Sequence, residues 1–144
     1  MSDVRAPGWA VRLIVPVALA GCAGLGHASR PAQSPRDEGT RLHRESDEAF
    51  ERGQVGLGRA KALRAIDAYG RALREQTRES APLQWAATED NLGGVLLTLG
   101  GWDAGTGYLS QAVIAFQAAL QERTRERVPL QWAATQSNRA PTPK

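Results

Sequence analysis

Few residues in this chain are suited to chemistry. It has one cysteine, Cys22, and two histidines, His27 and His43. A single thiol excludes an intrachain disulfide and any multi-cysteine zinc site, and two histidines leave little for metal or triad chemistry. There is no Gly-rich phosphate loop, no serine elbow and no pair of histidines at helical spacing. Glu89 and Asp90 are adjacent, so on a helix they point about 100° apart and form a solvated polar edge rather than a carboxylate pair. His43, among Arg41, Arg44 and Glu45, is expected in solvent, as are the Thr-Arg-Glu runs at 77–79 and 124–126. The expectation is a protein that is not an enzyme and uses no metal or cofactor.

The cysteine gains meaning from what precedes it. Arg5 and Arg12 are followed by an uncharged run of 14 residues, 13–26, too short for the roughly 30 Å hydrocarbon core of a bilayer. A charged start, a short apolar stretch and small residues behind it form a secretory signal pattern. Leu19, Ala20, Gly21 and Cys22 resemble the lipobox of bacterial lipoprotein signal peptides. The resemblance implies lipidation at the Cys22 thiol and cleavage before it. Several buried acyl chains, at about 0.8 kcal/mol per CH₂, then anchor the chain firmly. Residues 23–39 are rich in Gly, Ala, Ser and Pro and read as a flexible tether, with Pro31 and Pro35 blocking regular structure.

The composition permits one small domain behind this leader. The 144 residues are 42% hydrophobic and 23% charged, which excludes a disordered polyampholyte and a multi-span membrane protein. A net charge of +3 is too small for a nucleic-acid footprint. The domain is organised by an internal repeat. The stretch 65–91 realigns on 112–138 with 16 of 27 positions identical, including the block Pro-Leu-Gln-Trp-Ala-Ala-Thr at 82–88 and 129–135. The shift is 47 residues, as in Pro82 to Pro129 and Trp85 to Trp132.

Apolar spacing and breakers divide this region into five helices. The first covers 40–52, stopped by Gly53 and the pair Gly56 and Gly58. The second covers 59–78, and Pro82 opens a third that ends at Gly100-Gly101, where glycine suits a left-handed cap. The fourth covers 106–127, and Pro129 starts a short fifth. Leu63, Ile66, Tyr69 and Leu73 form one stripe. Leu83, Ala87, Leu92, Val95, Leu96 and Leu99 form a second, and Leu109, Val113, Phe116 and Leu120 a third. Repeated helical hairpins that cannot bury their faces alone stack into a solenoid.

Ala65-x3-Tyr69-x2-Ala72-Leu73 and Ala112-x3-Phe116-x2-Ala119-Leu120 resemble the second-helix signature of tetratricopeptide repeats, and Asn91-Leu92-Gly93-x2-Leu96 resembles the first-helix signature. The period of 47 exceeds the usual 34, with the excess around Trp102 and at 122–128. The implied fold is all-α, a short right-handed solenoid of hairpins at about 40–82 and 83–129, a partial unit at 130–138, and a disordered tail at 139–144. Tyr69, Ala72, Leu73, Trp85, Leu92, Gly93, Phe116, Ala119, Leu120 and Trp132 are its expected packing residues. The resemblance also implies a protein–protein interaction module whose concave face is lined by the first helix of each hairpin. Gln84, Thr88 and Asn91 fall at i, i+4 and i+7 on one such helix, and Gln131, Thr135 and Asn138 follow one repeat later. These six are the candidate contacts to a peptide, each hydrogen bond contributing about 0.5–1.5 kcal/mol net.

The expected protein is therefore an interaction lipoprotein of the bacterial envelope, binding an unknown protein or peptide while its lipid sits in the membrane. The alternatives are a cytoplasmic protein whose signal is not used, and a truncated fragment of a longer array with no function of its own. If the short fifth helix is a cap, Leu130 and Trp132 dock on the fourth; otherwise an apolar end is open to self-association. Metabolic labelling with palmitate in a bacterial host should mark the protein and fail on Cys22→Ser; labelling indifferent to that substitution contradicts the anchor.

Overall fold

The structure is a computed structural model that describes residues 33–103 and 106–139. Leu19, Ala20, Gly21 and Cys22 lie outside the described residues, as do the expected cleavage site and 140–144. The described chain is all-helical: α1 (Pro35–Glu51), α2 (Val55–Glu75), α3 (Pro82–Asp103), α4 (Thr106–Glu122) and α5 (Pro129–Arg139). None of these helices is long and apolar enough to cross a membrane.

Helix α1 starts at Pro35, inside the expected tether and five residues before the expected helix start at Thr40. Ser34 is its N-cap, accepting a hydrogen bond from the Asp37 amide at 3.2 Å, and Pro35 takes the first turn, where its missing N–H costs nothing. Asp37 and Glu38 in that turn complement the helix dipole. Pro35 thus opens a helix as Pro82 and Pro129 do, at the same interval of 47 residues. Helix α1 ends at Glu51 and the chain turns through Gly53, whose φ of 73° is most readily adopted without a Cβ.

The other expected breakers do not break. Gly56 and Gly58 lie inside the first turns of α2, which begins at Val55 rather than 59. Gly100 and Gly101 lie inside α3, which continues to Asp103. Gly58 and Gly100 are instead places of close approach. A Cβ at Gly58 would lie 2.8 Å from the Phe50 ring, and one at Gly100 would lie 2.5 Å from Leu109 Cδ2. The second and fourth helices end sooner than expected, at Glu75 and Glu122. Each is followed by a turn that leads into the next proline.

Packing runs α1 on α2, α3 on α4, α2 on α3 and α4 on α5, with α1 also touching α3. The core comprises Leu42, Phe50, Ala62, Ala65, Tyr69, Val95 and Leu99, continued by Leu96, Ala112 and Phe116. Tyr69 and Phe116 are fully enclosed, each against a glycine: Gly39 for the first and Gly93 for the second. The alanines make the close contacts, so the larger aliphatics of the expected stripes are displaced outward. Leu63, Leu83 and Leu109 are exposed, while Ala62, Ala65, Ala112 and Ala115 are buried. Of the expected packing residues, Ala72, Gly93 and Ala119 are buried as well; Leu73, Leu92 and Leu120 are half-buried. Trp85 and Trp132 are half-buried beneath guanidinium groups, Arg78 at 5.6 Å and Arg125 at 6.0 Å from the ring centroids.

Helix α5 is held differently from a docked apolar cap. Leu130 is 81% exposed, and the buried residue of α5 is Thr135. Arg123, just after α4, donates to the Thr135 hydroxyl at 2.9 Å and pairs with Asp90 of α3 at 2.8 Å. On the preceding turn Arg78 binds Glu122 at 2.7 Å and Gln121 at 2.5 Å, both on α4. The turn at 77–79, expected as free surface, is thus a clasp.

A Cβ at Gly93 would lie 2.6 Å from Phe116 Cε1, whereas one at Gly101 meets nothing within 4 Å. Both glycines are in α3. Gly93→Ala should therefore lower stability by about 1–3 kcal/mol through overpacking. Gly101→Ala should leave it unchanged or raise it by up to about 1 kcal/mol through helix propensity. Urea midpoints of the two variants check this.

Candidate functional site

Helices α1 and α3 lie along one another, and three contacts mark the seam. A Cβ at Gly94 would lie 3.1 Å from His43 Cε1, and the Thr98 hydroxyl donates to Asp47 Oδ1 at 3.3 Å. Further on, Trp102 stacks on Phe50 with ring centroids 4.8 Å apart and planes 7° from parallel. Residue numbers climb together along both helices, so the two run in the same direction. Arg36 and Asp47 are eleven positions apart on α1, as are Ala87 and Thr98 on α3. That interval is about three turns, so each pair shares a face.

This shared face carries two hollows. At the beginning of both helices, Arg36, Leu83, Ala87, Arg123, Val128 and Gln131 line a space of about 300 Å³. At their far end, Asp47, Phe50, Glu51, Thr98 and Trp102 line about 330 Å³. The electrostatics of the ends are opposite. Arg36, Leu83 and Gln131 stand in the first turns of α1, α3 and α5, where unpaired N–H groups make the helix end positive. Arg36 has no ion-pair partner among the described residues, so its charge adds to that field, which Asp37 and Glu38 in the same turn partly offset. The far hollow is formed at the negative ends of α1 and α3, and the carboxylates of Asp47 and Glu51 reinforce it. Glu51 has no ion-pair partner among the described residues.

The six expected peptide contacts separate under this geometry. Gln131 lines the positive hollow. Asn91, half-buried, follows Ala87 by one turn on the same stripe of α3, and its amide has no protein partner among the described residues. Gln84 and Asn138 are exposed outside both hollows. Thr88 and Thr135 are not available to a ligand. Each is buried, and its hydroxyl donates back to the carbonyl four residues earlier, Gln84 at 3.0 Å and Gln131 at 2.9 Å. Among the described residues, no three His, Cys, Asp or Glu side chains converge where a metal ion would sit.

Two residues of the face escape a reading of local pattern. Arg36 falls in the stretch read as tether, although Pro35 stands 47 residues before Pro82 and marks the helix start. Trp102 falls beyond the expected glycine stop and joins the face because α3 runs through it. Glu89 and Asp90 also differ from the expected solvated edge. Both are half-buried; Asp90 pairs with Arg123, while Glu89 stands over an apolar groove with no ion-pair or hydrogen-bond partner among the described residues.

Compared with family models, curated proteins and solved structures, the chain matches none of them.

His43, expected in solvent, sits between the two hollows against α3. Burial pushes its imidazole below the ordinary 6.5, an effect opposed by Asp47, whose Oδ2 is 3.6 Å from Nε2. Well above pH 6.5 the ring is neutral whether folded or not. As pH falls below that value the unfolded chain takes up a proton that the folded chain resists, so stability declines. Glu89, whose carboxyl burial pushes above 4.5, acts in the opposite sense, because the folded chain is protonated first. In a Glu89→Gln background, urea midpoints should therefore fall between about pH 7.5 and 5.5, and adding His43→Gln should flatten that slope. An unchanged slope contradicts the burial of His43.

Proposed function

We propose that this chain is an interaction module, a short tetratricopeptide-like solenoid that holds an extended segment of a partner protein along α1 and α3. The observation that carries the reading is the opposed charge at the two ends of one continuous face. Positive helix ends and unpaired Arg36 gather at one hollow; Asp47, Glu51 and the half-exposed Trp102 gather at the other. Support for the solenoid comes from the 47-residue period, the three prolines that open α1, α3 and α5, and the enclosure of Tyr69 and Phe116 at matched positions.

The geometry sets the length and polarity of the segment. From Arg36 to Asp47 or Glu51 the helix rises about 16–22 Å at 1.5 Å per residue. An extended chain at roughly 3.3 Å per residue covers this in about five to seven residues. An acidic group belongs at Arg36, where charge-assisted hydrogen bonds are stronger than neutral ones. A lysine or arginine belongs at the far hollow, against the Trp102 ring and the carboxylates. Between them Asn91 can donate to and accept from the peptide backbone. This is recognition without bond making, so the reading is a binding protein and not an enzyme. The lipobox-like Leu19-Ala20-Gly21-Cys22 supports a lipid anchor that would hold this module, and its partner, at the membrane of a bacterial envelope.

Selection from a random display library of short peptides tests the reading. Bound peptides should be enriched in one basic and one acidic residue separated by about five to seven positions, the span derived above. They should lose affinity at least roughly tenfold against Arg36→Glu, an electrostatic change of about 1.4 kcal/mol or more. Selected peptides with no charge pattern, or with equal affinity for Arg36→Glu, contradict it.

A further inference from the structure

The repeat exposes an exchange of chemistry between two equivalent grooves. The groove beside α1 and α2 is lined by Glu38, Leu63, Arg64, Asp67 and Arg71. Arg71 binds Glu38 at 2.9 Å and Asp67 at 3.2 Å, while Arg64 has no ion-pair partner among the described residues. One repeat later, the groove between α3 and α4 has Gln111 at the register of Arg64, Ile114 at that of Asp67 and Ala118 at that of Arg71. Apart from the neutral amide of Gln111 its walls are therefore apolar, completed by Leu92, Leu96 and Ala115, around a space of about 230 Å³.

Glu89 is the one acidic residue lining this groove, and it occupies the register of Leu42, which is fully enclosed in the core and does not line the first groove. A carboxylate in a leucine position is unfavourable, because burial removes its hydration and the apolar walls return no hydrogen bond. Glu89 has no partner among the described residues, and desolvation raises its pKa. Ile114 on the wall is 64% exposed, so the groove is open to a ligand.

We infer that the groove between α3 and α4 is a binding site for a small amphipathic organic cation, an ammonium group with an apolar body. The ammonium binds the Glu89 carboxylate, and the apolar body lies on Leu92, Leu96, Ile114 and Ala118. Charge complementarity selects this ligand. A neutral apolar molecule would cover the half-buried carboxylate without giving it a partner, and an anion is repelled by it. The site shares no lining residue with the face along α1 and α3, so it stands independently of peptide binding there.

The test uses the whole chain and three probes with the same apolar body: n-hexylammonium, n-hexanol and n-hexanesulfonate. Binding is followed by amide chemical shifts. Hexylammonium should bind saturably, shift the amides around Glu89, Leu92 and Ile114, and lower the Glu89 carboxyl pKa. Affinity should fall at least roughly tenfold in Glu89→Gln, and hexanol should bind no better to the natural chain than to that variant, since only the charge differs. Glu89→Leu, which restores the residue of the first repeat, should bind hexanol and hexylammonium alike while keeping the fold. Equal binding of alcohol and ammonium to the natural chain overturns the inference. So do shifts confined elsewhere, or no saturable hexylammonium binding.

Discussion

Everything in this fold hangs on two aromatic rings that take the space of missing Cβ atoms. Tyr69 of α2 lies against Gly39 of α1, and Phe116 of α4 lies against Gly93 of α3. A side chain at either glycine would meet the ring at 2.7 or 2.6 Å, well inside contact distance. Such packing brings the helix backbones close and makes their separation sensitive to single carbon atoms. The alanines around the rings, Ala62, Ala65, Ala112 and Ala119, follow from the same closeness. Leu42, Val95, Leu96 and Leu99 complete the core, while Leu63, Leu83 and Leu109 stand at its margins.

Closeness in the core leaves specificity to be made by polar groups at the turns. Arg78 reaches from the turn after α2 to the end of α4, and Arg123 joins Asp90 on α3 to Thr135 on α5. The Arg123–Asp90 pair is largely buried, with both side chains less than a fifth exposed. Desolvation offsets much of the attraction in such a pair, which therefore contributes more to register than to net stability. Its effect here is to seat α5, whose leucine points to solvent. With α5 seated, its first turn joins those of α1 and α3 and supplies Gln131 to the positive hollow.

The repeat also shows how one scaffold acquires different surfaces. The two grooves share three registers on α2 and α4, where Arg64, Asp67 and Arg71 of the first give way to Gln111, Ile114 and Ala118 of the second. The first groove holds two cations and two carboxylates, whereas the second holds one carboxylate with no partner among the described residues. Identical blocks at 82–88 and 129–135 preserve the helix start, while the positions that differ decide what each surface can hold.

The helical class, the helix count and the 47-residue period were determined by the sequence, because they rest on local physics. Prolines start helices, apolar residues recur at three and four, and a repeated block is visible without coordinates. Even the start of α1 was written there, in a proline one period ahead of Pro82. The tertiary structure alone decided which polar residues are free. Thr88 and Asn91 lie on the same helix three positions apart, yet one is closed off and the other retains an unpartnered amide. Glu89 looks like surface in its own segment and becomes the floor of a groove when α4 arrives. Gly58 and Gly100 look like stops and serve as contact points within helices. Burial depends on neighbours distant in the chain, so local spacing indicates that a face exists without showing what will cover it.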